Sequence, residues 1–248
     1  MVISRSYAKQ AALLAVVALS ACTPQSAAPS RSPSPAAILP VNPIYAGRAM
    51  AFDVNATFSE SMNESFTVQR SIGDSGNLGP TGEAHSFGPA SIDFAAGDPS
   101  RAMLPHLIVA RVASATASTV DHTATASSSL SEVCIFSRPE ANSPCVLALA
   151  AASSATRVDC VGRRSAESSV SGLKIFGTDV PVTGSPNQRF TSSTQYGHAT
   201  GTINSREFDS TTNTMRATAV TATFNFPTGF QVVLGTMVVA SSTNSCAA

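Results

Sequence analysis

The chain has 248 residues, with fifteen Lys and Arg balanced by fifteen Asp and Glu, and only 12% of its residues are charged. It has no basic run, so it lacks the positive stripe that a nucleic-acid or anionic-membrane partner requires. Ala, Ser and Thr dominate, giving a surface of small hydroxyls rather than salt bridges, which suits an extracytoplasmic β protein better than a cytosolic enzyme.

At the N-terminus, Arg5 and Lys9 form a positive region ahead of the apolar residues 11–19 (AALLAVVAL). Nine helical residues cover about 14 Å against a bilayer core of roughly 30 Å, so this is a signal-peptide core and not a membrane span. The run closes on Leu19-Ser20-Ala21-Cys22. A plain secretory site wants small residues at −3 and −1, and Leu19 at −3 is bulky. The pattern instead resembles a bacterial lipobox. That resemblance implies diacylglyceryl transfer to the Cys22 thiol, cleavage after Ala21 and acylation of the new amine. Two or more acyl chains, at about 0.8 kcal/mol per buried methylene, anchor stably to a bilayer. Thr23 follows Cys22 where Asp usually implies inner-membrane retention, so the expected address is the outer membrane.

The chain is therefore expected to comprise a signal peptide at 1–21, a lipidated Cys22 with a tether to 43, and a β-rich domain at 44–248. Residues 23–43 hold six prolines among serines and alanines. They read as an extended tether of about 50 Å in polyproline II. Beyond it, turn residues recur at short intervals. Residues 71–100, rich in Gly with Pro80, Pro89 and Pro99, read as long loops or short irregular strands. Residues 107–112, 130–137, 146–150 and 170–176 read as strands. Residues 113–129 alternate small residues throughout and read as one further strand, since Ser and Thr are poor helix formers. Residues 219–226 place Val220, Ala222, Phe224 and Phe226 on one face and pair with 230–240 as a hairpin. The sum is an all-β fold, two antiparallel sheets packed as a sandwich.

Cys134, Cys145, Cys160 and Cys246 form an even set in an oxidising compartment, where disulfides are the default. Three connectivities exist. Cys134 and Cys145 flank a turn containing Pro139, Asn142 and Pro144, making Cys134–Cys145 with Cys160–Cys246 the most economical pairing. The rival, a zinc site, lacks its usual close Cys-x-x-Cys spacing and has no His beside any Cys.

Catalytic and metal motifs are weak. Gly73-Asp74-Ser75-Gly76 resembles a serine-protease nucleophile segment, but no His precedes it and a Gly/Asp turn is the simpler reading. His85, His106, His122 and His198 have no metal-binding spacing, and His122 beside Asp121 would point to the opposite face of a strand. Glu207 with Asp209, and Asp53 near Asn55, are oxygen donors without an EF-hand pattern. Asn55-Ala56-Thr57 and Asn63-Glu64-Ser65 fit the glycosylation pattern, which in a bacterium would be a chance match. No catalytic residue, metal or cofactor is expected. Sugar stacking lacks its aromatics, because there is no Trp and the twelve Phe suit the core.

Tyr45-Ala46-Gly47-Arg48-Ala49, Gly79-Pro80-Thr81-Gly82, the Ala/Ser/Thr-rich stretch before Leu130 and Val133, the segment ending at Cys160, Ser169-Val170-Ser171-Gly172-Leu173, the turn Gly177-Thr178-Asp179-Val180-Pro181-Val182 and the strand ending near Cys246 together resemble the choice-of-anchor P family. The resemblance implies an exported β-rich domain held to the bacterial envelope by varied anchors, with no catalytic residues to transfer. The chain departs from the pattern at Cys246-Ala247-Ala248, which carries no sorting signal.

Three readings compete. The first is a non-enzymatic surface lipoprotein of adhesive or structural role, whose partners are the bilayer through acylated Cys22 and an envelope polymer. The second is an extracytoplasmic binding protein for a small molecule or polysaccharide, with a concavity expected from residues 71–100. The third, a hydrolase, lacks a nucleophile–base or metal set.

Overall fold

The computed structural model describes residues 43–61, 64–79, 84–95, 106–135, 145–195, 197–226 and 232–247. Cys22, the lipobox and the tether lie outside them. The expected all-β class is what the described residues form, without a helix. A first hairpin pairs β1 (Ile44–Ser61) with β2 (Glu64–Asp74). A meander follows through β3 (His85–Ala95), β4 (His106–Val120), β5 (Thr123–Ile135), β6 (Leu147–Asp159) and β7 (Arg164–Ser171), with short β8 (Lys174–Ile175) and β9 (Thr178–Asp179). The chain then returns through β10 (Gln188–Thr194), β11 (Gly197–Asp209), β12 (Thr214–Asn225) and β13 (Val232–Ala247).

These strands build two antiparallel sheets. The six-stranded one has the order β10-β11-β12-β13-β1-β2, and the seven-stranded one runs β3-β4-β5-β6-β8-β9 with β7 also on β6. The last strand lies against the first, from Ile44 opposite Ala247 to Phe58 opposite Val232. The expected C-terminal hairpin is present as β12 and β13, and Val220, Ala222, Phe224 and Phe226 are all buried.

Several element boundaries differ from those expected. Residues 113–129 are two strands, because Asp121 and His122 adopt left-handed φ of 47° and 59° and close a two-residue hairpin between Val120 and Thr123. Left-handed backbone is the turn chemistry that Asp tolerates better than most residues. Residues 85–95, expected within an irregular region, form all of β3, with bulges that accommodate Pro89. Residues 170–176 are broken at Gly172, whose φ is +62°, so β7 stops before β8 begins.

A crease crosses both sheets. In β5, after Thr123 at its start, the buried positions are Ala124, Ala126, Ser128 and Leu130, then Val133 and Ile135, so the inward parity switches. The same switch separates Leu149 from Ala152 in β6, Val239 from Ala240 in β13, and Ala51 from Phe52 in β1. Register is the same on either side: Val112 faces Ser131 and Ala110 faces Val133. Left-handed residues mark the row: Asn204 (56°), Ala240 (47°) and Gly73 (65°) on alternate strands of one sheet, Glu132 (51°) and Gly172 (62°) in the other. One such residue inverts the pleat, and neighbouring strands switch together to keep their apolar sides inward.

The main core lies on one side of the crease, around Phe52, Ile108, Ile135, Leu147, Phe224 and Met237. Edge-to-face rings extend it, with Phe176 6.1 Å from Phe224 and 6.0 Å from Phe226. A smaller cluster on the other side is built from Tyr45, Ala49, Leu78, Ala115, Ala117 and Val158, with Cys246 among them. Polar bonds join the sheets there. Asn244 of β13 donates to the Thr156 carbonyl of β6 at 2.8 Å and to its Oγ1 at 3.0 Å. Ser128 donates to the Ser241 carbonyl at 3.4 Å.

Both expected disulfides are formed. Cys134–Cys145 joins the end of β5 to the approach to β6, with Cα atoms 5.3 Å apart. Cys160–Cys246, at 5.2 Å, ties the end of β6 to the end of β13 and so links the two sheets.

Candidate functional site

The alternating Ala-Ser-Ala-Thr-Ala-Ser of residues 113–118 turns Ala113, Ala115 and Ala117 fully inward and sends Ser114, Thr116 and Ser118 outward. β5 repeats the pattern, with Ala124 and Ala126 inside and Thr125, Ser127 and Ser129 outside. Antiparallel register aligns these hydroxyls into rows. Ser114, Ser129, Ser153 and Ser169 stand opposite one another across β4, β5, β6 and β7. Ser114 and Ser129 bond at 2.8 Å, as do Ser153 and Ser169. The next row is Thr116, Ser127, Ala155 and Glu167, with Thr116 and Ser127 bonded at 3.0 Å.

Over these rows lies a hollow of about 500 Å³, lined by the serines, Ala155, Glu167 and, from β11 of the other sheet, Arg206. The Arg206 backbone N–H is fixed by Asn187 Oδ1 at 3.0 Å. Its Nε is shut off from solvent without a partner, and so is Ser168 Oγ, which alternation places on the inward side of β7, opposite to Glu167 and Ser169. Among the described residues neither Arg206 nor Glu167 has an ion-pair partner. The lining therefore offers hydroxyl donors and acceptors, one carboxylate and one guanidinium: a hydrogen-bonding surface. The hollow lies on the β4–β7 face, whereas the concavity expected from residues 71–100 falls partly on 80–83 and 96–100, outside the described residues.

The motifs singled out earlier fall elsewhere. Ser75 is buried, accepting from the Ala49 N–H at 3.0 Å and donating to the Gly76 carbonyl at 3.0 Å. Asp74 accepts twice from Arg48 Nε, at 3.0 and 3.2 Å, and from the Gly76 N–H at 2.9 Å. The Arg48 hydrogen bonds hold the Asp74 carboxyl below its ordinary pKa, with the Gly76 N–H adding to the effect. The segment is thus a turn tied onto β1. Asp121 and His122 sit in a turn rather than on opposite strand faces, and His122 Nδ1 lies 3.4 Å from the Tyr45 hydroxyl. Burial raises the pKa of that phenol.

Asp209 caps the β11–β12 turn, accepting from the Thr211 N–H and the Thr212 hydroxyl, each at 2.8 Å. Glu207 faces Arg216 at 3.9 Å, and Asp53 accepts from Ser71 at 3.0 Å. Among the described residues no three His, Cys, Asp or Glu side chains converge to hold a metal. A pair that spacing did not suggest is Ser193 with His198, bonded at 2.7 Å across β10 and β11. It is exposed and lies away from the hollow. Arg206 was also missed, since nothing in linear sequence places β11 beside β7.

Fold and surface define an all-β, two-sheet antiparallel sandwich with a hydroxyl-lined hollow on one outer face. No protein-family model, curated protein or solved structure matches the chain.

Proposed function

We propose that this chain is a bacterial envelope lipoprotein, anchored by acylated Cys22, whose β-domain plays a non-enzymatic adhesive or structural role. The observation that carries this reading is Leu19-Ser20-Ala21-Cys22 directly after the apolar run, followed by a proline-rich tether that ends where β1 begins at Ile44. Two disulfides agree with an oxidising, extracytoplasmic setting. Thr23 favours the outer membrane over the inner. The resemblance to choice-of-anchor P proteins, whose domains are held to the envelope by varied anchors, points the same way. The test is metabolic labelling with a clickable fatty acid, combined with in-cell cross-linking. The wild-type chain is expected to take label and to cross-link to an envelope polymer, and Cys22→Ala to lose both. Equal labelling of Cys22→Ala would overturn the anchor.

A second reading, an extracytoplasmic binding protein, is favoured by one specific observation, the hollow on β4–β7 lined by Glu167 and Arg206, which have no ion-pair partner among the described residues. A ligand held there should raise the melting temperature. A broad panel of envelope sugars and metabolites without any shift would count against it.

A further inference from the structure

We propose that the hollow on the outer face of β4–β7 binds a segment of neutral glycan, with Glu167 and Arg206 as its charged hydrogen-bonding anchors. The proposal rests on the binding-protein reading and assigns its ligand class.

Size is the first argument. A volume of about 500 Å³ lies within the range of small-molecule sites. Four neighbouring strands at about 4.8 Å spacing give a floor about 14 Å across, enough for a short oligosaccharide.

The hydrogen-bonding inventory is the second. Each bonded serine pair uses one hydroxyl proton between its two oxygens, leaving the other proton and several lone pairs free. A sugar face presents the same mixed donor and acceptor character. The lining mixes polar and apolar area in nearly equal parts, as a sugar does, whereas a wholly apolar ligand would leave the lining hydroxyls unmatched.

Charge is the third. Glu167, as an acceptor only, suits two adjacent sugar hydroxyls, and Arg206, as a donor only, suits ring and hydroxyl oxygens. Both line one hollow yet have no ion-pair partner among the described residues. An anionic ligand would meet Glu167 as well as Arg206, so the neutral class is preferred.

Without a stacking aromatic in the lining, affinity per site is expected in the millimolar range. Many anchored copies meeting one polymer would supply avidity.

The test is NMR titration of the full chain carrying Cys22→Ala, using maltotetraose, mannotetraose and chitotetraose as probes. At least one probe should give saturable amide shifts confined to β5, β6, β7 and the neighbourhood of Arg206. Arg206→Met and Glu167→Gln should each weaken binding by about tenfold or more, as for a charged hydrogen bond. Ala155→Ile, which places a branched side chain over the floor, should abolish it while leaving the melting temperature unchanged. Shifts elsewhere, or shifts indifferent to these variants, would overturn the site. If no neutral glycan binds but another ligand raises the melting temperature in an Ala155-dependent way, the glycan class falls and the binding-protein reading stands. If neither occurs, both fall.

Discussion

At the scale of single residues, the same hydroxyl and amide chemistry has different consequences on the two faces of a strand. Asn244 is fully buried and its amide bridges the sheets through Thr156, whereas Ser153 bonds only to Ser169 on an outer face. Asn244→Ala is expected to cost about 1–3 kcal/mol in urea unfolding, because it strips buried hydrogen bonds. Ser153→Ala should change stability by less than about 0.5 kcal/mol, as surface substitutions do. Asp74 contributes in a pH-dependent way. The Arg48 hydrogen bonds depress its folded-state pKa. Its stabilisation is therefore present above the unfolded carboxyl value of about 3.9 and is lost as pH falls through the lower folded value. Asp74→Asn should melt earlier than wild type at neutral pH, and the gap should close in acid. A constant gap down to pH 2 would mean that the ion pair contributes nothing.

At the scale of elements, the crease explains why strict alternation fails within otherwise regular strands. Each strand obeys period two on both sides of the row, but its parity inverts in the middle. Gly73 and Gly76 separate the two demands placed on such positions. Both have positive φ, 65° and 82°, but a Cβ at Gly73 would lie 2.7 Å from Ala51 Cβ, while nothing stands within 4 Å at Gly76. Gly76→Ala is expected to cost only the left-handed strain of about 1–2 kcal/mol. Gly73→Ala should add an overpacking cost of about 1–3 kcal/mol. Equal losses in denaturant melts would show that the crease is not sterically closed at Ala51.

At the scale of the molecule, closure depends on contacts far apart in sequence. β1 and β13 pair along most of their length, and Cys160–Cys246 spans 86 residues to join one sheet to the other. Cys134–Cys145 closes only 11 residues within one sheet. Chain entropy gives about 4.6 kcal/mol for the longer bridge and about 3 kcal/mol for the shorter. The Cys160→Ser/Cys246→Ser variant should therefore lose more stability than Cys134→Ser/Cys145→Ser. Unfolding both pairs side by side checks the order, and the reverse order would place the critical closure inside the seven-stranded sheet.

Local pattern alone determined the β class, the C-terminal hairpin with its buried Val220, Ala222, Phe224 and Phe226, and the economical disulfide pairing. These follow from period-two alternation, turn residues and cysteine spacing, all of which act over short range. The turn at Asp121-His122 was not legible, because its flanks alternate without interruption and only the backbone's left-handed conformation reveals the reversal. The crease was hidden for a related reason: a parity switch in Ala- and Ser-rich strands changes few residue types. The candidate site needed the tertiary structure most. Its serines are ordinary outward residues in each strand, and they become one surface only when antiparallel register aligns Ser114, Ser129, Ser153 and Ser169. Arg206 joins them from the opposite sheet. Sheet order and register decide such neighbours, and both are set by long-range packing that no short window of sequence contains.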